Sequence, residues 1–330
     1  NVLTVYTYDS FVTEWGPGPV VEAAFEETCD CDLRFEGAGD GAALLSRLQL
    51  EGPRTEADIV LGLDTNLTAA ARETGLFAKH GISPDLDLPV DWTDDHFLPF
   101  DWGYFAFVGN AGDPAPDSLR ELADSDLSIV IQDPRSSTPG LGLLMWIKTA
   151  YGEEAGTLWQ DLSDNILTVT PGWSEAYGLF LEGESDAVLS YTTSPAYHLI
   201  AEEDESKVAW AFEEGHYMQV EVADRMGYRD SSARRGVEIF MQDYFRHATA
   251  VGDLTRMFLT KLEAQHLKSE PLLQRLLKRR KKLKEGYVEI NGRLAVEDEA
   301  AFLADPLNLL RLFEEEVIDH IKRGKCPLKP

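Results

Sequence analysis

The sequence is poor in basic residues, in cysteine and in long apolar runs, and each shortage excludes something. Its 30 Lys and Arg stand against 58 Asp and Glu, a formal net charge of -28. That balance repels nucleic acid and acidic membrane surfaces and favours cationic or neutral small partners. No run of 18 or more apolar residues occurs, so no membrane-spanning helix is expected, and the opening VLTVYTY reads as a strand rather than as a signal peptide. Of the three cysteines, Cys29 and Cys31 form a C-x-C pair and Cys326 lies near the far end. Two readings of the pair stand, free thiols or a tight Cys29–Cys31 disulfide in an oxidising compartment. No metal site is expected, because no second thiol pair accompanies the first and the seven histidines are scattered. Catalytic motifs are equally scarce: G-x-S-x-G, the Walker lysine pattern and H-E-x-x-H do not occur. The many paired acids read as solvated faces, and the basic run Lys278 to Lys284 as an exposed helix face rather than a nucleic-acid contact.

What is present divides in two. With 330 residues and 44% hydrophobic content the chain can bury a sizeable core. Residues 1–223 carry 9 Lys and Arg against 41 Asp and Glu, a net of -32, whereas residues 224–330 carry 21 against 17, a net of +4. In the acidic part apolar runs alternate between strand and helix spacing: VLTVYTY, PVVEAAFEETC, CDLRFEG, GAALLSRLQLEG and ADIVLGL, then LSIVIQDP, GLGLLMWIKTAYG, ILTVTPG, WSEAYGLFLEG, DAVLSY and PAYHLIAEE. This rhythm predicts mostly parallel sheets covered by helices, in two α/β lobes. Two extended stretches, FLPFDWGYFAFVGN and EGHYMQVEVA, predict crossings between the lobes with a ligand cleft in the middle. The expected divisions are 1–102 and 103–215 for the lobes and 216–223 for the second crossing, with a mostly α-helical segment over 224–330.

In that last segment Val237, Phe240, Met241, Tyr244, Phe245 and Ala248 begin a series at three- and four-residue steps that predicts a long amphipathic helix over 234–266. A basic helix follows, then a hairpin turning at Asn291-Gly292 and a helix started near Pro306.

Three strand-to-helix turns in the acidic part are rich in glycine and hydroxyls. In FEGAGDGAALL, Gly37, Gly39 and Gly41 allow close backbone approach, and a helix starting after Asp40 aims its free N–H groups outward. In QDPRSSTPGLGLL, Ser136, Ser137 and Thr138 precede a helix at Pro139, and in SYTTSPAYHLI, Thr192, Thr193 and Ser194 precede Pro195. Capping explains any one of them; three together suggest a group held among helix N-termini, although the acidity argues against a simple anion. Trp173, following Pro171-Gly172 in a turn, together with Tyr191, Tyr197 and Tyr217, offers ring faces for stacking or for a cation.

These stretches carry a resemblance. LTVYTYDSFVTEWGPGPVV, ADIVLGLDTNL, PFDWGYFAFV, QDPRSSTPGLGLL, GWSEAYGLFLEGESDAVLSYTTSPAYH and EGHYMQVEVA resemble the periplasmic thiamine-binding proteins of thiamine ABC importers, nearly continuously over 1–223. The resemblance implies a bilobal type II periplasmic-binding-protein fold that is not an enzyme and uses no cofactor. It implies a chain that holds thiamine, thiamine monophosphate or thiamine diphosphate and delivers it to a membrane permease. Carried over by position, the ligand contacts fall on Asp40, Gly41, Ser137, Thr138, Trp173, Tyr191, Thr192, Thr193 and Ser194, with Tyr197 close by. The aromatics are expected to pack on the vitamin's rings, and Ser137, Thr138 and nearby N–H groups to receive a phosphate.

Past Ala223 that pattern stops, along with its expected late tryptophan. RMGYRDSSARRGVEIFMQDYFRHATAVGDLTRMFL and GRLAVEDEAAFLADPLNLLRLFEE resemble instead an internal helical stretch of the bacterial uridylyltransferase that modifies the PII regulatory protein, over about 224–315. Neither that enzyme's Gly-Ser and paired-aspartate motif nor its histidine-aspartate signature is present, so no uridylyl transfer is expected. The chain reads as a chimera of a periplasmic and a cytoplasmic parent, with residues 316–330 matching neither. The alternative function is a helical interaction module on residues 224–330.

Overall fold

The alternating runs of the acidic part become ten strands and eight α-helices in the computed structural model, which describes residues 2–27, 31–81 and 88–227. In chain order the elements are β1 (Val2–Thr7), α1 (Gly18–Glu26), β2 (Asp32–Gly37), α2 (Gly41–Glu51), β3 (Ile59–Asp64), α3 (Thr68–Glu73), β4 (Phe77–Ala78) and β5 (Phe97–Asn110). After them come α4 (Leu119–Ala123), β6 (Ile129–Gln132), α5 (Thr138–Tyr151), α6 (Ala155–Leu162), β7 (Ile166–Thr170), α7 (Trp173–Leu181), β8 (Ala187–Tyr191), α8 (Ser194–Ala201), β9 (Lys207–Ala209) and β10 (Met218–Met226). The helices and hairpin expected beyond Gly227, together with Cys29 and Cys326, lie outside the described residues. Cys31 is disulfide-bonded, which removes the free-thiol reading for that residue.

The described chain divides into two units. Unit 1 takes residues through Ala38, then Leu44–Trp102 and the stretch from Val220 on. In it β1 pairs in parallel with β2 and β3, and β10 runs antiparallel against β3 and β4. Strand β3 is buried at all six positions, as an interior strand of a parallel sheet covered on both faces should be. Its core gathers Leu3, Val5, Phe11, Leu33, Ile59, Leu61 and Leu98.

Unit 2 takes Gly39–Ala43 and Gly103–Gln219. Here β6 pairs in parallel with β7 and β8, and β5 runs antiparallel against β8 and β9. Each unit therefore repeats one order, second strand, first strand, third strand, then an antiparallel strand that the chain brings from elsewhere. That order is the type II periplasmic-binding-protein arrangement, and β5 and β10 are the two stretches read from sequence as crossings, each divided between the units.

Helix α5 explains the GLGLL stretch. Every residue from Thr138 to Ile147 is buried, so over that stretch the helix has no solvent face and must lie close to its neighbours on all sides. A Cβ on Gly142 would come within 2.2 Å of the Phe105 ring, so only glycine fits there. Around α5 the core collects Phe105, Phe107, Leu143, Trp146, Trp159, Trp210 and Phe212. Among the described residues no helix is long and apolar enough to cross a membrane.

Candidate functional site

Because β6, β7 and β8 run parallel, their carboxyl ends share one edge of unit 2, and the turn after each opens a helix there. Ligand sites in open α/β sheets collect at that edge. Ser137 and Thr138 lie after β6, Trp173 after β7, and Tyr191 to Ser194 at the end of β8. The short segment with Asp40 and Gly41 groups with the same unit, so all ten residues marked from the sequence fall in unit 2.

Asp40 is the centre of the arrangement. Its carboxylate is buried, and Oδ2 accepts from the Ser137 hydroxyl at 2.6 Å and from the Trp173 backbone N–H at 2.9 Å. Trp173 is the first residue of α7, so the sequence reading of it as a turn residue is corrected. Gly172, ahead of it, has no side chain to cap the helix, and the carboxylate supplies the missing negative end from 133 residues away. Charge-assisted bonds of this kind contribute about 1.5–3 kcal/mol each.

The hydroxyls of the second turn are accordingly less available than the sequence suggests. Ser137 precedes α5 without capping it, because its hydroxyl goes to Asp40, and α5 begins at Thr138 rather than Pro139. Ser136 gives its hydroxyl to the Pro171 carbonyl at 2.5 Å. Among the described residues Thr138 has no side-chain hydrogen bond.

Trp173 is held at a second point. Its indole N–H donates to Ser190 Oγ at 2.8 Å, Ser190 Oγ lies 2.6 Å from Ser194 Oγ, and Ser194 Oγ accepts from the Tyr191 N–H at 3.2 Å. The hydroxyl of Ser194 thus ties the end of β8 to the tryptophan. Thr192 and Thr193 are exposed, and the Thr192 N–H donates to the Tyr104 carbonyl. Tyr191 packs against Phe105 with centroids 5.2 Å apart, Phe105 stacks on Tyr217 at 6.4 Å, and Tyr197 stands 47% exposed on α8. The result is a half-buried tryptophan whose backbone is bonded to a buried carboxylate, with Tyr191 and Tyr197 near the end of β8, which suits a flat cationic ligand better than an anion.

Sequence reasoning missed Ser190, Tyr177 and His198, all of which support this edge. Ser190 was hidden inside an apolar strand run; Tyr177 and His198 read as helix-face residues, and only their spacing from Trp173 and Ser194 hinted at more. Among the described residues two groups bring imidazole and carboxylate atoms within 4.8 Å of one another, Asp94–Asp95–His96 and His198–Glu202–Asp204. In the first, Asp94 is ion-paired with Arg72; in the second, both His198 nitrogens are hydrogen-bonded.

Residues 13–213 match the family of bacterial extracellular solute-binding proteins. The chain is 52% identical over 259 residues to the thiamine-binding periplasmic protein of Escherichia coli K12, covering 76% of this chain and 79% of that one. It is 56% identical over 228 residues to the protein of that name from Brucella suis, covering 68% of each. A solved periplasmic thiamin binding protein superposes with a TM-score of 0.71 at 52% identity, covering 76% of this chain and 81% of the other. Residues 195–259 match a different family, GlnD PII-uridylyltransferase. The bifunctional uridylyltransferase/uridylyl-removing enzyme of Ruegeria pomeroyi is 65% identical over 98 residues, 30% of this chain and 11% of that enzyme.

Proposed function

Since the chain belongs to the bacterial extracellular solute-binding proteins and carries a uridylyltransferase-like segment behind that part, we propose that it is a periplasmic receptor for thiamine whose ligand rests on the Asp40–Trp173 edge of unit 2. The observation that carries this reading is the buried Asp40 carboxylate bonded to the backbone of Trp173, which sets a negative charge at an aromatic residue. Thiamine is a flat cation, and the excess of acid over base in residues 1–223 favours its approach. Asp40, Gly41, Ser137, Thr138, Trp173, Tyr191, Thr192, Thr193, Ser194 and Tyr197 form the contact set, with Trp173 and the tyrosines against the rings. In the mono- and diphosphate, the phosphate takes Thr138 and the first N–H groups of α5, with Ser137 occupied by Asp40. The carboxylate then ranks unphosphorylated thiamine first. Delivery is to the permease of an ABC importer, and no catalysis or cofactor is assigned.

The test is calorimetric titration of the full chain with thiamine. Saturable binding that Trp173→Ala removes is the expected result, and unchanged affinity in that variant would overturn the placement. That the C-terminal segment is not assigned catalysis has a separate test, since the uridylyltransferase motifs are missing: turnover of UTP with magnesium would refute it.

A further inference from the structure

Three side chains outside the contact set stand behind Trp173. Tyr177, one turn further along α7, stacks on the indole with centroids 4.8 Å apart and planes 27° apart. Its hydroxyl lies 3.0 Å from His198 Nε2, and His198 Nδ1 lies 2.6 Å from Oε2 of Glu202, the residue that follows α8. Tyr177 and His198 are buried, whereas the Glu202 side chain is 47% exposed.

The chemistry of the partners fixes the protons. A carboxylate only accepts, so His198 Nδ1 donates to Glu202; in the neutral imidazole Nε2 is then an acceptor, and the Tyr177 hydroxyl donates to it. Burial, and after it the Glu202 charge, pushes the Tyr177 phenol above its usual range, so it keeps the proton it donates. An aromatic ring needed only for packing requires no such chain of bonds to the surface. Here the chain pins the far end of the Tyr177 ring, Phe180 packs edge-on to that ring at 5.9 Å, and the near face of the ring lies on Trp173.

We propose that Tyr177, His198 and Glu202 are positioning residues that fix the plane of the Trp173 indole, completing the two anchors it already has on Asp40 and Ser190. The consequence for ligand affinity rests on the thiamine reading above; the orientation of the indole does not. Glu202→Ala and Tyr177→Phe remove one link each while leaving the stacked rings in place, and the partly exposed position of Glu202 keeps the fold out of the question.

The experiment uses the full chain labelled with 5-fluorotryptophan, the Trp173 fluorine resonance being assigned by its loss in Trp173→Phe. One sharp Trp173 line in the parent, broadened or doubled in both variants at unchanged far-UV circular dichroism, is the expected result, with thiamine affinity falling roughly threefold to tenfold. A single sharp line in both variants, shifted or not, would overturn the proposal. Absence of thiamine binding by the parent would sink the functional reading, while the line shapes still decide the positioning.

Discussion

Unit 2 buries Asp40 among donors, whereas unit 1 buries Asp224 with none among the described residues. Asp40 receives the Ser137 hydroxyl and the Trp173 N–H on one oxygen. Asp224 is wholly buried in β10, and among the described residues neither of its carboxylate oxygens has a hydrogen-bond partner. Burial, and after it the charge of Asp94, drives its carboxyl well above the usual range, with Arg72 opposing. The two positions differ in what surrounds them in sequence. Asp40 lies within a pattern whose partners at 137 and 173 belong to the same family match, 13–213. Asp224 lies where the match to the thiamine-binding relatives, 76% of this chain, overlaps the one for the uridylyltransferase family, and its strand pairs with Val60 inside the unit 1 sheet. The lesson is that a strand can complete a sheet through its backbone while its buried side chain goes unsatisfied.

The largest way to break the contrast is Asp40→Ala. It strips the Ser137 hydroxyl and the Trp173 N–H of their acceptor, so unit 2 should lose about 2–5 kcal/mol and thiamine binding should vanish. Denaturant unfolding with hydrogen exchange read at β6 checks this; protection at the parent level would refute it. The converse change is Asp224→Val, which replaces an unsatisfied acid with a residue suited to a buried strand. A gain of about 1–3 kcal/mol is expected, read as slower exchange at β3. If β3 exchange speeds up instead, Asp224 has a compensating role.

Acidity should separate the units in opposite directions. In unit 1 burial raises Asp64 to about 7 against its bonds from Asn66, and Asp224 is raised as well. Unfolded aspartates release their protons near pH 3.9. Between about pH 4 and 7 the native unit therefore holds more protons than the unfolded chain, and its stability falls as the pH rises. In unit 2, His216 donates Nδ1–H to the Phe105 carbonyl and accepts from the Phe212 N–H on Nε2, and burial lowers it to about 4 although part of its surface stays exposed. From about pH 6.5 down to 4 the unfolded chain takes up a proton that the native ring refuses, so unit 2 weakens as the pH falls. Exchange compared at pH 5 and 7.5, corrected for intrinsic rates, should show β3 better protected at the lower pH and β6 at the higher. Parallel changes in both would remove the distinction. The smallest expected effect is the control Arg34→Ala, which breaks an exposed pair with Asp32 and should leave both units unmoved.

Much of the fold was legible because apolar periodicity survives in a single chain. The runs CDLRFEG, ADIVLGL and DAVLSY became β2, β3 and β8, and FLPFDWGYFAFVGN became β5 over its whole length. Short elements escaped: α3, α4, β4 and β9 hold too few residues for a period to show, and α6 was missed although it is as long as α8. The candidate contact residues were found as glycine-rich and hydroxyl-rich turns, but their internal bonds were not. Ser137 looked like a helix cap and Trp173 like a turn residue, since no local pattern announces a hydrogen bond spanning 97 or 133 residues.

The sequence by itself determined the alternation of strands and helices, the two crossing strands and the break in charge after Ala223, because these depend on neighbours along the chain. Tertiary structure alone decided which donors meet the Asp40 carboxylate, what backs the Trp173 indole and which acid is buried without a partner. A parallel sheet puts the ends of distant strands on one edge, and whether a buried charge there is satisfied depends on side chains that the chain order does not bring together.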